Sequence, residues 1–156
     1  MNFQTTASVP VTQEAEDDIE NDGWFPDVVL ADARVQVRID GTITSPRLRA
    51  ALVEAMATVN DELDAWKLQK NVIYLKLEDV PCPLLDGISR NIHRYNRAVY
   101  CLAKANLIER YRDYDSTSEG NKRADEVETN VDDLRRDYRW ALSDILGISR
   151  TTVDLI

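Results

Sequence analysis

The chain has 156 residues, a net charge of −9, two cysteines and one histidine. At this length it can bury a core of its own as one domain, and so few cysteines and histidines exclude a disulfide framework and a His-rich metal site. Its apolar runs fall short of the roughly 18 residues that cross a membrane, and it lacks the start of a signal peptide. We therefore expect a soluble protein of a reducing cytoplasm.

The acidity is uneven along the chain. Of the 28 acids, eight lie in residues 1–33, which contain no Lys or Arg, so the rest of the chain has 20 acids and 19 bases. Apolar residues in 1–22 are too scattered to offset the entropy of ordering that segment. We therefore predict three parts: a disordered acidic N-terminal arm (1–22), a nearly neutral helical body (23–147) and an extended C-terminal tail (148–156).

Two adjacent aromatic residues, Trp24 and Phe25, stand where the arm meets the body. Large apolar groups at such a place must either fold back onto the body or be received by a partner, and the sequence leaves both alternatives open. Residues 27–38 follow as a short amphipathic segment. It reads either as a short first helix or, from the alternation of apolar residues over 35–39, as a strand.

The first long helix is predicted from Ser45 to about Gln69. Ser45 is a favourable N-cap, and Pro46 suits the first helical position because its missing N–H costs no hydrogen bond there. Residues 70–87 contain two prolines and an Asp-Gly turn, so we predict a connecting loop. The apolar seam of the helix consists of Leu48, Leu52, Met56, Val59, Leu63 and Trp66.

A second helix is predicted over residues 88–112, and a third from about Lys122 to the residue before Gly147, which suits a left-handed C-terminal position. Residues 98–103 are apolar nearly all round and should be the most buried part of the protein. Each long helix of about 24 residues would span roughly 35 Å. The predicted fold is all-α: a bundle of three long amphipathic helices, with a short N-terminal helix as one alternative for residues 27–38. The seam of the third helix consists of Val127, Val131, Leu134, Tyr138, Ala141 and Ile145.

The tail combines β-prone and apolar residues, which favours an extended segment that pairs with or docks on another surface. Its apolar members join the aromatic pair as candidate partner-binding residues. The full set is Trp24, Phe25, Val153, Leu155 and Ile156.

The sequence offers no clustered catalytic or metal-binding pattern. Cys82 and Cys101 lack a CxxC partner, and His93 lies eight residues from Cys101, whereas helix side chains meet at spacings of three or four. Neither a glycine-rich phosphate loop nor a serine elbow is present. We predict a non-enzymatic interaction protein that needs no cofactor or metal.

Four basic residues recur along one face of the second predicted helix: Arg90, Arg94, Arg97 and Lys104. Such a stripe could touch DNA phosphates, or it could be a solvated face or form ion pairs with acids of a neighbouring helix or subunit. The nearly neutral body argues against tight DNA binding, which favours a solvated or ion-paired face.

Three segments of the chain carry a family resemblance. They are Trp24-Phe25-Pro26-Asp27 with the helix opening Ser45-Pro46-Arg47-Leu48-Arg49-Ala50; Arg97-Ala98-Val99 through Leu107-Ile108-Glu109-Arg110-Tyr111-Arg112; and Lys122-Arg123-Ala124-Asp125 through Asp132-Asp133-Leu134 to Arg136-Asp137 and Arg139-Trp140-Ala141. In order and spacing they resemble the head completion (head stabilisation, gpL) proteins of temperate contractile-tailed phages, from about residue 24 to the end. Residues 1–22 match nothing in that family, and the loop 70–87 departs from it.

The resemblance implies a helical head–tail connector without catalytic activity. Such a protein joins the capsid after DNA packaging, binds below the portal ring and prepares it for the tail or tail-completion protein. It implies a ring of copies, twelve to match the portal, with double-stranded DNA passing through the channel without sequence specificity. The location would be the head–tail junction of the virion, and the host cytoplasm during assembly. The tail would dock on the portal while the helices extend the channel.

A second function of another class is a soluble helical regulator or adaptor. Its acidic arm would mimic nucleic acid and bind a basic protein.

Overall fold

The computed structural model describes the backbone of residues 17–111 and 120–149, and the side chains of 17–110 and 130–149. The predicted predominance of helix is confirmed. In chain order, the described elements are α1 (Leu30–Gln36), α2 (Ser45–Lys70), a 3-10 turn (Leu77–Asp79), β1 (Leu84–Leu85), β2 (Ile88–Ser89), α3 (Arg90–Tyr111) and α4 (Gly120–Leu146).

Helix α2 begins at Ser45, where the sequence predicted its start, but its N-cap lies one residue earlier than predicted. Thr44, with φ −66° and ψ 153°, occupies the N-cap position without a side-chain capping bond, so the prediction of Ser45 as the N-cap was wrong. The Ser45 hydroxyl instead accepts a hydrogen bond of 3.3 Å from Arg34. Pro46 lies in the first turn, where helices tolerate it. The buried face of α2 follows the predicted spacing, with Leu48, Ala51, Leu52, Ala55, Met56, Val59 and Leu63.

Helices α3 and α4 pack side by side in opposite directions. Arg94, near the start of α3, donates a 2.9 Å hydrogen bond to the carbonyl of Asp144 near the end of α4. At the other end, Arg135 of α4 pairs with Glu109 of α3. Residues 98–103 are all buried, as predicted. The predicted stop of α4 is confirmed, because Gly147 has a φ of +70° and the next N–H donates back to Ser143.

Helix α2 runs parallel to α4 and antiparallel to α3. The Tyr95 hydroxyl near the start of α3 donates a 2.7 Å hydrogen bond to Asn60 in the second half of α2. Lys104, further along α3, instead donates to Val37 beside α1, and Arg34 of α1 donates to Ser45 at the start of α2. Tyr138 of α4 donates to Glu62 of α2, which places the second halves of α2 and α4 side by side. As a result, α2 and α4 finish, and α3 begins, at the same end of the protein. We call this the connection end.

The segment between α2 and α3 contains a small hairpin that the sequence did not predict. Leu85 pairs with Ile88 in an antiparallel register, and the two turn residues, Asp86 and Gly87, have φ values of +52° and +72°. Two positive values are characteristic of a type I′ turn, which suits the twist of paired strands. The Arg90 N–H donates to the carbonyl of Pro83 at 3.1 Å, which ties the hairpin to α3.

Residues 17–22, which we expected to belong to a disordered arm, are part of the folded body. Ile19 is 5% exposed and exchanges two backbone hydrogen bonds, of 2.8 and 3.0 Å, with Val28. The ambiguous segment that follows forms helix α1, and the strand alternative was wrong: Val35 points into solvent, and Arg38 adopts a left-handed φ of +50° just beyond the helix. Residues 1–16 of the predicted arm lie outside the described residues.

Candidate interaction surface

Trp24 and Phe25 fold back into the protein's own core. Phe25 stacks on Tyr95 of α3 with ring centroids 5.0 Å apart, and Trp24 packs edge-on against Trp66 of α2 at 5.9 Å. The Trp24 indole N–H donates a 3.1 Å hydrogen bond to the carbonyl of Tyr74. The structure therefore buries both candidate residues where they join the N-terminal segment to α2 and α3.

Asp22 determines how the aromatic pair enters the core. One of its carboxylate oxygens accepts hydrogen bonds from the N–H groups of Trp24 (2.9 Å) and Phe25 (3.0 Å), and the other lies 2.5 Å from the Lys67 ammonium. Burial alone would raise the pKa of Asp22, but the hydrogen bonds from Lys67 and the two backbone groups outweigh it and lower the pKa. The turn at Asp22 is therefore held by charge-assisted bonds.

A closed ring of three side chains fixes the same segment to both helices. Asn21 donates to the Tyr95 hydroxyl at 2.8 Å, Tyr95 donates to Asn60 at 2.7 Å, and Asn60 donates back to Asn21 at 2.9 Å. Each of these part-buried groups thus has a partner, which avoids the cost of an unsatisfied polar group. Residues 17–28 consequently act as a strap across α2 and α3.

The basic stripe is largely engaged within the molecule. Arg94 binds the carbonyl of Asp144, Arg97 forms an ion pair of 3.2 Å with Asp137, and Lys104 donates to the carbonyl of Val37. Of these three contacts, the one between Arg97 and Asp137 is an ion pair with an acid of a neighbouring helix, and the other two go to backbone carbonyls. The fourth member, Arg90, has a buried Nε without a hydrogen-bond partner among the described atoms.

The cysteines and the histidine do not meet. His93 Nε2 lies 2.9 Å from the carbonyl of Leu85, Cys82 Sγ lies 3.1 Å from the Ser89 hydroxyl, and Cys101 is buried on α3. Burial raises the pKa of the Cys101 thiol. Among the side chains that the structure describes, those of residues 17–110 and 130–149, no group of three or more His, Cys, Asp or Glu is placed to hold a metal.

A shallow hollow of about 350 Å³ opens between α1, α3 and α4. Its polar members include Arg97, Lys104 and Asp137, which already bond to one another or to Val37. The hollow therefore offers few uncommitted groups to a ligand.

The connection end carries a concentration of exposed apolar side chains. Ten large apolar residues are exposed among the side chains that the structure describes, and eight of them lie at this end. Four close or follow α2, three lie on the hairpin, and one follows α4; Val72 and Leu75 are each 83% exposed. We call this set the apolar end: Leu68, Val72, Ile73, Leu75, Leu84, Leu85, Ile88 and Ile148.

Sequence reasoning missed the apolar end because it treated residues 70–87 as a plain connection. The available signal was compositional: residues 72–85 hold seven large aliphatic residues outside any helical repeat, and the structure buries only two of them, Leu77 and Val80. The tail residues Val153, Leu155 and Ile156 lie outside the described residues. Among the described helices, none is long and apolar enough to span a membrane.

The chain is similar in sequence to known proteins over nearly its whole length. Residues 19–156 match the family model described as phage head completion protein (GPL). The chain is also 38% identical over 152 residues to the head completion/stabilization protein of Escherichia phage P2, which covers 96% of this chain and 90% of that protein. No solved structure matches the chain significantly. The chain therefore belongs to the phage head completion protein (GPL) family.

Proposed function

We propose that this protein is a structural component of a phage virion, where it completes and stabilises the DNA-filled head at the head–tail junction. The observation that carries the proposal is the family match over residues 19–156, together with 38% identity to a head completion/stabilization protein across nearly the whole chain. The folded body supports it, because its polar side chains chiefly hold elements together. It acts by binding rather than by catalysis.

The partner at this junction is the portal ring, and the working form is a ring of copies, twelve to match the portal. Side-by-side contacts between copies close by rotation, and each can be modest because the same contact repeats around the ring. The tail, residues 151–156, docks on the portal, while the long helices extend the DNA channel towards the tail or tail-completion protein.

Double-stranded DNA passes this ring without sequence-specific contact. The chain beyond residue 33 has a net charge of −1, from 20 acids and 19 bases, so it lacks the excess of cations that tight phosphate binding needs. The side chains of Arg94, Arg97 and Lys104 are also bound to neighbouring elements of the same molecule, through hydrogen bonds or an ion pair. The channel wall therefore lets DNA slide.

Deleting residues 151–156 from the phage gene tests the docking step. We expect heads that package DNA and then lose it, measured as DNase-sensitive DNA in purified heads. A matched control changes Thr151 and Thr152 to serine, which retains the length and apolar residues of the tail. Recovery of full heads that retain their DNA after the deletion would contradict tail docking.

The alternative of a regulator with a nucleic-acid-mimicking arm has less support. Six of the eight N-terminal acids, from Asp17 onwards, lie in the described body, and Asp22 is committed to Lys67. Removal of residues 1–16 separates the two functions, because it leaves the strap intact. A mimic would lose its activity, whereas the head completion protein should still yield infectious particles.

A further inference from the structure

The apolar end is too large to be a scatter of single exposed residues. Eight aliphatic side chains from four neighbouring segments share one end of a helical body. Contiguous apolar patches on soluble proteins usually mark a surface that something covers. The opposite end and the sides contribute only Val35 and Val53 to the exposed large apolar residues among the described side chains.

The chain itself leaves the body at this surface. Helix α4 stops at the connection end, where Gly147 turns the backbone with a φ of +70°. Ile148, the next residue, is 59% exposed and belongs to the apolar end. The segment 150–156 therefore starts beside the surface that needs a cover.

We propose that residues 150–156 pack across the apolar end of their own molecule when the protein is free. Seven extended residues reach roughly 23 Å at about 3.3 Å per residue. Packed helices lie about 8–10 Å apart, so this length crosses from α4 past α3 or α2 to the hairpin. In an extended chain Val153 and Leu155 face the same side, which presents a short apolar ridge to Leu85 and Ile88, a cross-strand pair on one face of the hairpin.

The segment that covers the apolar end is the molecule's own tail rather than the tail of a second copy. A segment tethered by one or two residues has an effective concentration on the order of millimolar at its target, well above that of another copy in solution. The hairpin is a firm target, because its turn is pre-shaped and because His93 and Arg90 bind the carbonyls of Leu85 and Pro83. At ordinary protein concentration, packing of the tail on its own molecule is therefore favoured over packing on a second copy.

This arrangement deepens the proposed function, on which the following consequence rests. If the tail docks on the portal, it must leave the apolar end. The apolar end is then exposed to solvent only when the protein is at the portal. Neighbouring copies can bury that surface in the ring. The free protein would stay monomeric, and ring formation would wait for the template.

The test uses the isolated full-length protein, so its failure is distinguishable from failure of the proposed head role. Three proteins are compared: the unchanged chain, a deletion of 150–156, and a full-length Val153→Asp/Leu155→Asp variant. The readouts are fluorescence of the apolar dye anilinonaphthalene sulfonate and mass by sedimentation equilibrium. We expect a monomer with low dye fluorescence for the unchanged chain, and severalfold higher fluorescence with concentration-dependent association for both variants.

Further substitutions test whether the dye binds at the apolar end. In the deletion background, Leu84→Ser/Leu85→Ser should lower the fluorescence, whereas the matched control Val35→Ser on α1 should not. Equal fluorescence with and without residues 150–156 would overturn the proposal. So would an unchanged chain that self-associates and dissociates on deletion, because the tail would then cover a second copy. Circular dichroism checks the helix content of each protein. If the deletion unfolds the protein, the comparison of the unchanged chain with the full-length Val153→Asp/Leu155→Asp variant takes its place, and equal dye fluorescence of those two would overturn the proposal.

Discussion

Replacing Phe25 with alanine separates a core role from a partner-binding role. Phe25 is 3% exposed, stacks on Tyr95 at 5.0 Å and meets Trp24 edge-on at 4.9 Å. Buried Phe→Ala changes cost about 3–5 kcal/mol, and the lost aromatic pairs fall within that loss. We expect the free energy of unfolding to drop by about 4 kcal/mol, a large share of the roughly 5–15 kcal/mol typical of a domain.

Urea unfolding followed by tryptophan fluorescence and circular dichroism measures this loss. With a urea dependence of about 2 kcal/mol/M, the midpoint should fall by about 2 M. The control is Val35→Ala, which removes an aliphatic side chain that is 78% exposed and should change stability by less than about 0.5 kcal/mol. If Phe25→Ala behaved like this control but weakened head assembly, the packing of the strap would be refuted and Phe25 would be a partner contact.

Three further predictions concern the polar contacts that hold the body together. Because the pKa of Asp22 is lowered in the folded state, its carboxylate stabilises the protein above about pH 4 and loses that effect as the pH falls through the folded-state value; the stability gap between the unchanged chain and Asp22→Asn should therefore narrow from pH 6 to pH 3 in urea titrations. Tyr95→Phe should cost about 1–3 kcal/mol, since it leaves two part-buried asparagines each short of a partner, and an unchanged urea midpoint would contradict the closed ring. A double-mutant cycle on Arg97 and Asp137 should give a coupling of about 0.2–1 kcal/mol that weakens in salt, because both side chains are partly exposed, and zero coupling at low salt would rule out the pair.

The long helices and their ends were predictable because their signals are local. Apolar repeats at three and four positions define the buried face of α2, and the continuous apolar run over 98–103 marks a stretch of α3 in which every side chain is buried. Gly147 marks the stop of α4, since glycine alone adopts a positive φ without a steric cost. None of these features depends on knowing which elements are neighbours.

The strap was not predictable by the same reasoning. Ile19 is a single apolar residue among acids, so no repeat marks it for burial, and its partner Val28 is identified only by the backbone pairing. Whether Trp24 folds back depends on the convergence of Trp66 and the carbonyl of Tyr74, which are distant in sequence. Tertiary contacts decide both outcomes.

The hairpin is a different case, because its signal was present. Asp86-Gly87 is among the strongest short hairpin sequences, and apolar residues flank it on both sides. With strands of only two residues, however, the alternation that identifies strands has no room to develop. Three members of the apolar end, Leu84, Leu85 and Ile88, lie in this short element and were overlooked with it.

The strap also sets where the chain enters the body. Arg49, near the start of α2, donates hydrogen bonds to the carbonyls of Asp17 (3.0 Å) and Asp18 (3.5 Å), whereas the chain departs at Ser149 beyond the end of α4. From Arg49 to Lys70, the rise of α2 is about 30 Å. Entry and exit are thus separated by much of the length of α2, which gives the described body a polarity: a label attached to Asp17 would report from the end of the body opposite to Ser149.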